Sequence, residues 1–224
     1  MDIWLEDQLY NFPLHHWWLE KEARLPKLLF YIGPKRLFIG AAVLLLLCLV
    51  FARHTPWIRD NHRGLSIVLL SMILVPAVIN GLKSVTNIPC PKDIQHYGGT
   101  HPYVSLFEHN QETTPTLTRV ACYPAGHASG GFSLLSLFFL FRTRRAKALA
   151  VSTALGIGWI TGIYKMLIGD HFLSHTIVSM VLAWIIVLVI ASLVHQQSAL
   201  TQNRREEREV NGENGANKEA VVTD

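Results

Sequence analysis

The sequence CYPAGHASGGF, residues 122–132, joins a long polar loop to an apolar run over residues 133–141. Pro124 can begin a helix there, because the first helical positions need no amide donor. The small residues after it let a ligand approach the free backbone N–H groups of a helix N-terminus, where anions bind. His127 can move a proton near neutral pH. The stretch therefore predicts either an anion site with its own acid or a helix start whose histidine has only a structural partner.

The composition predicts a membrane protein. The chain has 224 residues, of which 50% are hydrophobic and 16% are charged, and the apolar residues come in blocks. The blocks predict five spans, at residues 37–52, 65–82, 128–141, 146–164 and 176–194. We therefore expect an all-α membrane helix bundle of five to six spans, and nothing in the sequence suggests a nucleic-acid-binding module.

The regions outside the spans divide the chain into three parts. Residues 1–35 alternate aromatic and charged side chains, which predicts a segment at the membrane–water interface. It could also insert as a sixth helix. Residues 36–196 form the predicted membrane domain. Residues 197–224 are polar and have no apolar period, which predicts a solvated, disordered tail.

Basic residues predict the orientation of the spans. They cluster between spans one and two, between spans three and four, and in the tail: Arg53, Arg59, Arg63, Arg142, Arg144, Arg145, Lys147, Arg204, Arg205, Arg208 and Lys218. Five spans place all three regions on one side, which the positive-inside rule makes cytoplasmic. Residues 83–127 and 165–175 then lie together on the opposite side.

Three separated pieces of sequence meet at that outer side. They are KSVTNIPCP (residues 83–91), PAGH (124–127) and KMLIGDHFLSH (165–175). Phosphoryl transfer needs cations and donors on the phosphate oxygens, an in-line nucleophile, and an acid for the leaving oxygen. Two lysines and three histidines in these pieces can supply such groups: Lys83, Lys165, His127, His171 and His175.

In order and spacing, these pieces resemble the motifs of the type 2 phosphatidic acid phosphatase superfamily. The family pattern is Lys-x6-Arg-Pro, then Pro-Ser-Gly-His, then Ser-Arg-x5-His-x3-Asp. The resemblance covers about residues 80–178 and implies an integral membrane phosphatase. The matching positions are Lys83, Pro91, Pro124, Gly126, His127 and His171, and Lys165 falls at the arginine position of the third motif.

The resemblance also implies a role for each matching residue. His171 attacks phosphorus and becomes phosphohistidine, and His127 protonates the leaving oxygen. Lys83, Lys165 and the backbone amide of Gly126 hold the phosphate oxygens, and water then attacks the phosphohistidine. No metal or other cofactor is implied. The expected partner is a lipid phosphate or pyrophosphate, and we expect a bacterial inner membrane with the site facing the periplasm.

Five positions depart from the family pattern, and one of them is Tyr164, which stands directly before Lys165 where the family has serine. Cys90 stands at the first arginine and Lys165 at the second, where lysine keeps the charge but loses the bidentate fork. Ala125 stands at the serine of the second motif, so it lacks the hydroxyl donor with which that position meets the substrate. His175 stands at the aspartate that orients the nucleophile. A neutral His175 lies one helical turn after His171 and could accept the same N–H bond.

Cys90 and Cys122 allow two interpretations. Both flank the predicted site on the oxidising side of the membrane, where disulfides persist. A bridge would hold the first motif against the second and partly replace the ordering role of the missing arginine. The alternative is two unrelated buried thiols.

Three other functions remain open at this stage. The phosphohistidine could pass its phosphate to another lipid rather than to water. The departures from the family pattern would suit a lipid-phosphate-binding protein whose catalytic site has decayed. Finally, His171 and His175 are four residues apart on one predicted helix and, with His127, provide three imidazoles that could bind zinc or haem. The sequence leaves the oligomeric state open.

Overall fold

The structure, a computed structural model that describes residues 1–104 and 120–222, is 74% helical. In chain order the elements are α1 (Asp2–Asp7), β1 (Tyr10–Asn11), β2 (His16–Trp17), α2 (Arg24–Lys27), a π-helical turn (Leu28–Ile32), α3 (Gly33–Phe51), α4 (Pro56–Thr86), two 3₁₀ turns (Pro91–Asp93 and Gln95–Tyr97), α5 (Gly126–Ser133), a 3₁₀ segment (Leu134–Phe139), α6 (Arg144–Leu167) and α7 (Leu173–Val222). The predicted helical bundle is confirmed.

Four helical stretches among the described residues are long and apolar enough to cross a membrane. They are Arg24–Phe51, Pro56–Asp93, Arg144–Leu167 and Leu173–Thr201. Their apolar windows are 0% to 44% buried inside the protein, so most of this surface is left to face lipid. The protein is therefore a multi-pass membrane protein.

The first spanning helix starts earlier than the sequence predicts. The sequence predicts a span at residues 37–52 and, before it, an interfacial segment at residues 1–35 that ends in the apolar residues 25–33. Instead α2, the π-helical turn and α3 follow one another without a break. The two stretches thus share one helix, and the polar residues Lys35 and Arg36 between them do not interrupt it because a helix satisfies its own backbone hydrogen bonds.

The third predicted span, residues 128–141, is wrong as a continuous α-helix. Only α5 is α-helical, and the chain then tightens into the 3₁₀ segment. Three serine hydroxyls bond carbonyls three residues back, at 2.6–2.7 Å: Ser129, Ser133 and Ser136. Such side-chain bonds compete with the α-helical pattern and favour a tighter turn.

This short segment still runs the length of its neighbour α4. A Cβ on Gly126 would lie 2.5 Å from Oδ1 of Asn80, and one on Gly64 would lie 2.9 Å from Cα of Leu140. Gly64 and Asn80 are separated by about 24 Å of helix, and α5 plus the 3₁₀ segment rise by about the same amount. The segment therefore carries the chain from one end of the bundle to the other.

The core surrounds α5. Phe132 is 0% exposed and packs with Val75, Ile79, Ala154 and Val187 from the neighbouring helices. Backbones approach closely here, because a Cβ on Gly131 would lie 2.5 Å from the backbone nitrogen of Gly158. The second half of α5 is therefore packed between α4, α6 and α7.

The N-terminal residues pack onto the end of the bundle that carries the predicted site. β1 and β2 form a small antiparallel hairpin, and Tyr10 and Trp17 on it contact Tyr97 with ring centroids 5.1 and 5.0 Å apart. Asp2 accepts hydrogen bonds from the backbone and the hydroxyl of Ser174 at the start of α7. The region before the first spanning helix is thus a cover over this end.

The end of α7 differs from the predicted tail. The sequence predicts a solvated, disordered tail from residue 197, yet α7 runs on to Val222. Polar helix formers such as Arg and Glu make up much of this extension, and they allow a helix to continue without an apolar face. The division of the chain at residues 35 and 196 stays a prediction.

Candidate active site

Backbone hydrogen bonds join the three predicted site pieces. Cys122 N–H donates to the carbonyl of Ile88 at 3.0 Å, and Lys92 N–H donates to that of Gly169 at 3.1 Å. Ala125 N–H also donates to the carbonyl of His175, at 3.4 Å. Residues far apart in the sequence therefore share one end of the bundle, as the order of spans predicts.

The three histidines of the prediction lie close together. The ring centroids of His127 and His171 are 6.3 Å apart, and those of His171 and His175 are 5.9 Å apart. His171 and His175 are 2% and 1% exposed, whereas His127 is exposed at the surface of the protein. Burial lowers the pKa of His171 well below its ordinary value, so its imidazole is neutral at physiological pH.

His175 has no hydrogen bond to His171. Its Nδ1 lacks a partner among the described residues, and its ring instead contacts Tyr123 and Phe172, with centroids 5.2 and 5.3 Å away. The orienting role that we expect for His175 therefore stays a prediction.

Asp170 joins two lysines beside the histidines. Lys165 Nζ donates to Oδ2 of Asp170 at 2.8 Å, and Lys92 Nζ donates to Oδ1 at 2.6 Å. Burial by itself would raise the pKa of Asp170, but the two hydrogen bonds and lysine charges outweigh it and hold that pKa well below its usual value. Lys83 is partly buried and interacts electrostatically with the same group of charges.

Lys92 is a site residue that the sequence analysis misses. It follows Pro91 directly and lies two positions after Cys90, which replaces the arginine of the first motif. A search for a replacement cation near that position could have found it. Its ammonium group supplies positive charge in the cluster where the family arginine is absent.

Tyr31 is a second missed residue and comes from the first spanning helix. Its ring centroid lies 4.9 Å from that of His127, and Lys165 Nζ lies 4.7 Å from the centre of the Tyr31 ring. This is within the range of a cation–π interaction. No spacing in the sequence links residue 31 to the motifs, so only the packing of the helix reveals the contact.

A tight turn positions His171. Gly169 has φ of +69°, which favours glycine, and a Cβ there would lie 2.2 Å from the Trp17 ring. Asp170 N–H donates to the carbonyl of Lys165 at 2.8 Å. The turn thus brings Asp170 to Lys165 and brings His171 to His127 of the second motif.

Cys90 and Cys122 form a disulfide, with Cα atoms 5.2 Å apart. The bridge joins the first and second motif regions, and Sγ of Cys122 lies 3.6 Å from Nδ1 of His171. The disulfide therefore packs against the buried side chain of His171.

The start of α5 differs slightly from the prediction. The Tyr123–Pro124 peptide bond is cis, and the helix begins at Gly126, two residues later than Pro124. Ala125 is buried and its N–H is already bonded to His175, whereas Gly126 begins the helix beside His127. Of these two positions, Gly126 is the better placed to offer an N–H to an anion.

These groups define a membrane-embedded helical protein with a cationic, histidine-containing site at one end. A scan against protein families matches residues 64–199 to the PAP2 superfamily, a range that contains all three motifs. The chain belongs to the PAP2 superfamily, whose members are generally phosphatases, and is at that level a hydrolase of phosphoric esters. Searches of curated proteins and of solved structures gave no match.

Proposed function

We propose that the protein is an integral membrane phosphatase that removes phosphate from a lipid phosphate or pyrophosphate through a phosphohistidine at His171. The observation that carries the proposal is the arrangement of His171 and His127, with ring centroids 6.3 Å apart, beside a cluster of lysines. Reacting atoms stand about 3 Å apart before reaction, so a phosphoryl group fits between the two rings.

The two histidines have environments suited to opposite roles. His171 is buried and neutral, as a nucleophile must be, because a protonated imidazole has no lone pair for phosphorus. His127 is exposed at the protein surface, yet burial of its ring and the charges of Lys165 and Lys83 lower its pKa to about 4 in the free protein. A bound phosphate dianion offsets those charges, so His127 takes up its proton in the substrate complex and gives it to the leaving oxygen. The reaction then forms an N–P bond at His171 while the P–O bond to the lipid breaks.

The lysine cluster supplies the charge that a phosphate needs. Lys92 and Lys165 are held by Asp170, so their ammonium groups are oriented before substrate arrives. A phosphate dianion carries more charge than one carboxylate and competes for the same donors. Lys83 adds a third cation from the end of α4.

Two features support a lipid as the substrate. His127 is exposed next to Tyr31, and Tyr31 belongs to the spanning stretch whose apolar window is 0% buried in the protein. An amphiphile can therefore reach His127 sideways from the bilayer. Lys165 lies in the last turn of α6, and Arg144 begins this helix about 32 Å away. The basic residues at the Arg144 end support a cytoplasmic side opposite the site, and hence a periplasmic site in a bacterial inner membrane.

Burial of His171 favours a second candidate function. At 2% exposure, a phosphorylated His171 would be shielded from bulk water. A second lipid in the pocket could then accept the phosphate, which makes the protein a lipid phosphotransferase.

Phosphate release by the detergent-purified protein tests the proposal. The assay uses a panel of lipid phosphates and pyrophosphates in EDTA, with His171→Ala and His127→Ala as variants. His62→Ala is the matched control, because His62 is exposed near the start of α4, about 32 Å of helix from Lys83. We expect EDTA-resistant release that only the first two changes abolish.

Other outcomes separate the alternatives. Release that needs a second lipid as acceptor would identify the transferase. No release and no transfer from any lipid, with all variants folded, would contradict the enzyme and leave a binding protein with a decayed site.

A further inference from the structure

Three buried side chains next to the proposed nucleophile form a cluster with the chemistry of a metal site. Cys122, His171 and His175 each direct one ligand atom toward the others, and these atoms all lie within 4.8 Å of one another. The three residues are 0%, 2% and 1% exposed. Thiolate and imidazole are the ligands that zinc prefers in proteins.

The spacing within the cluster matches a tetrahedral zinc ion. Zn–S and Zn–N bonds of about 2.3 and 2.0 Å at a tetrahedral angle place sulfur and nitrogen about 3.5 Å apart. Cys122 Sγ and His171 Nδ1 are 3.6 Å apart. Little movement would be needed for both to bind one ion.

His175 provides independent evidence for a ligand. Its Nδ1 is buried and has no hydrogen-bond partner among the described residues, which is costly for a polar atom. A metal ion would satisfy this nitrogen without any new donor or acceptor from the protein.

Whether Cys122 can bind zinc depends on the Cys90–Cys122 disulfide. While Cys122 is bonded to Cys90, its sulfur is not a thiolate and is a poor zinc ligand. We propose that reduction of Cys90–Cys122 converts the cluster into a Zn²⁺ site formed by Cys122, His171 and His175.

The reaction balances with a phosphine as the reductant. The disulfide gains two electrons and two protons and becomes two thiols, while the phosphine takes an oxygen atom from water and becomes its oxide. Cys122 then loses its thiol proton as it binds Zn²⁺. The two histidines bind as neutral imidazoles, and Cys90 remains a thiol.

Zinc at this site would also stop phosphoryl transfer. Coordination through Nδ1 of His171 withdraws electron density from the ring that has to attack phosphorus, and the cation fixes the ring in place. This consequence rests on the proposed function, whereas zinc binding itself does not.

Zinc binding by the full chain in detergent tests the proposal. Metal-free protein is incubated with ZnCl₂, with or without a phosphine reductant, then desalted and measured by elemental analysis. We expect about one zinc per chain in the reduced protein and none in the oxidised protein. Tetrahedral Co²⁺ bands with a thiolate charge-transfer band would report the ligand set.

Cysteine variants make the test independent of the reductant. Cys90→Ser frees Cys122, so this variant is expected to bind zinc without any reductant. Cys122→Ser is expected to bind none under either condition, and Cys48→Ser, which changes the cysteine of α3, should behave like the unaltered protein. A folded Cys90→Ser protein that binds no zinc, or equal binding by Cys122→Ser, would overturn the inference.

Activity measurements separate this inference from the proposed function. We expect zinc to abolish phosphate release by Cys90→Ser and EDTA to restore it. If Cys90→Ser binds zinc but no lipid phosphate is ever cleaved, the proposed function fails and the zinc site stands. Continued release of phosphate by zinc-bound protein would contradict the inference that His171 is both a zinc ligand and the nucleophile.

Discussion

At the scale of single residues, Asp170 connects most of the site. Its carboxylate accepts hydrogen bonds from Lys92 and Lys165, and His171 follows it directly in the chain. The family arginine that Cys90 replaces would have brought a charge to the first motif. Lys92 brings a charge to the same cluster from two positions away, so the cluster retains cations although neither family arginine is present.

Because Lys92 stands in for the family arginine, we expect Lys92→Met to lower the affinity for the substrate. One charge-assisted hydrogen bond to phosphate disappears, so we expect kcat/KM to fall by about tenfold to a hundredfold, mainly through KM. Steady-state phosphate release measures it. Lys147→Met is the control, because Lys147 lies near the start of α6, far from Lys165 in the last turn of that helix. This change should leave kcat and KM unchanged. Equal effects of the two changes would exclude a specific role for Lys92.

Restoring the family aspartate at position 175 should raise kcat. In His175→Asp a carboxylate faces the nucleophile and stabilises the imidazolium character that develops on His171 better than a neutral ring does. We expect kcat to rise by about tenfold or more, given the large effect of such a carboxylate in serine proteases. His175→Asn serves as the uncharged control. A decrease in kcat for the aspartate variant would show that His175 has another role.

At the scale of elements, close backbone approaches hold α5 in place. Gly131 packs on Gly158 of α6, where a Cβ would lie 2.5 Å from the backbone nitrogen. This contact lets the short α5 and its 3₁₀ extension fill the centre of the bundle. The position of His127 depends on it, because His127 lies one turn earlier on the same helix.

The packing predicts that Gly131→Ala destabilises the protein by about 1–3 kcal/mol, because the extra methyl group has no space between α5 and α6. Thermal unfolding in detergent measures the change. Gly156→Ala is the matched control, since a Cβ there meets nothing within 4 Å. A similar loss of stability in both variants would show that α5 and α6 do not approach as described.

The cover formed by α1 contains a buried acid. Glu6 is 0% exposed, both its carboxylate oxygens lack a hydrogen-bond partner in the described chain, and burial followed by repulsion from Asp2 raises its pKa to about 9. A raised pKa in the folded state means that the fold favours the protonated acid. The stability linked to Glu6 is thus full below pH 4.5 and is lost as the pH rises toward 9.

Glu6→Gln should therefore remove the loss of folding stability that occurs as the pH rises. The neutral amide has nearly the same shape, so we expect similar unfolding temperatures at pH 5 and a higher one for the variant at pH 8.5. Thermal scans at the two pH values measure it, and Glu20→Gln, at an exposed position, is the control. A pH dependence that is unchanged in Glu6→Gln would contradict the buried acid.

At the scale of the whole molecule, the sequence predicts the helical bundle and the meeting of three motifs at one end. Apolar blocks and motif order carry that information, since both depend on neighbours in the chain. The pairing of Lys92 with Asp170 and the contact of Tyr31 with His127 depend on packing between elements distant in sequence, so no local pattern reports them. The third predicted span is not a continuous α-helix, because serine side chains bond backbone carbonyls and tighten its second half into a 3₁₀ segment, which hydropathy does not report.

The central claim is that His171 carries the phosphate during turnover. The most direct test is rapid acid-free quenching of the protein with a radiolabelled lipid phosphate, followed by digestion and mass spectrometry. We expect an acid-labile, base-stable label on the peptide that contains His171, and we expect this label to be lost in His171→Ala. A label on another residue, or turnover with no label on His171, would contradict the account.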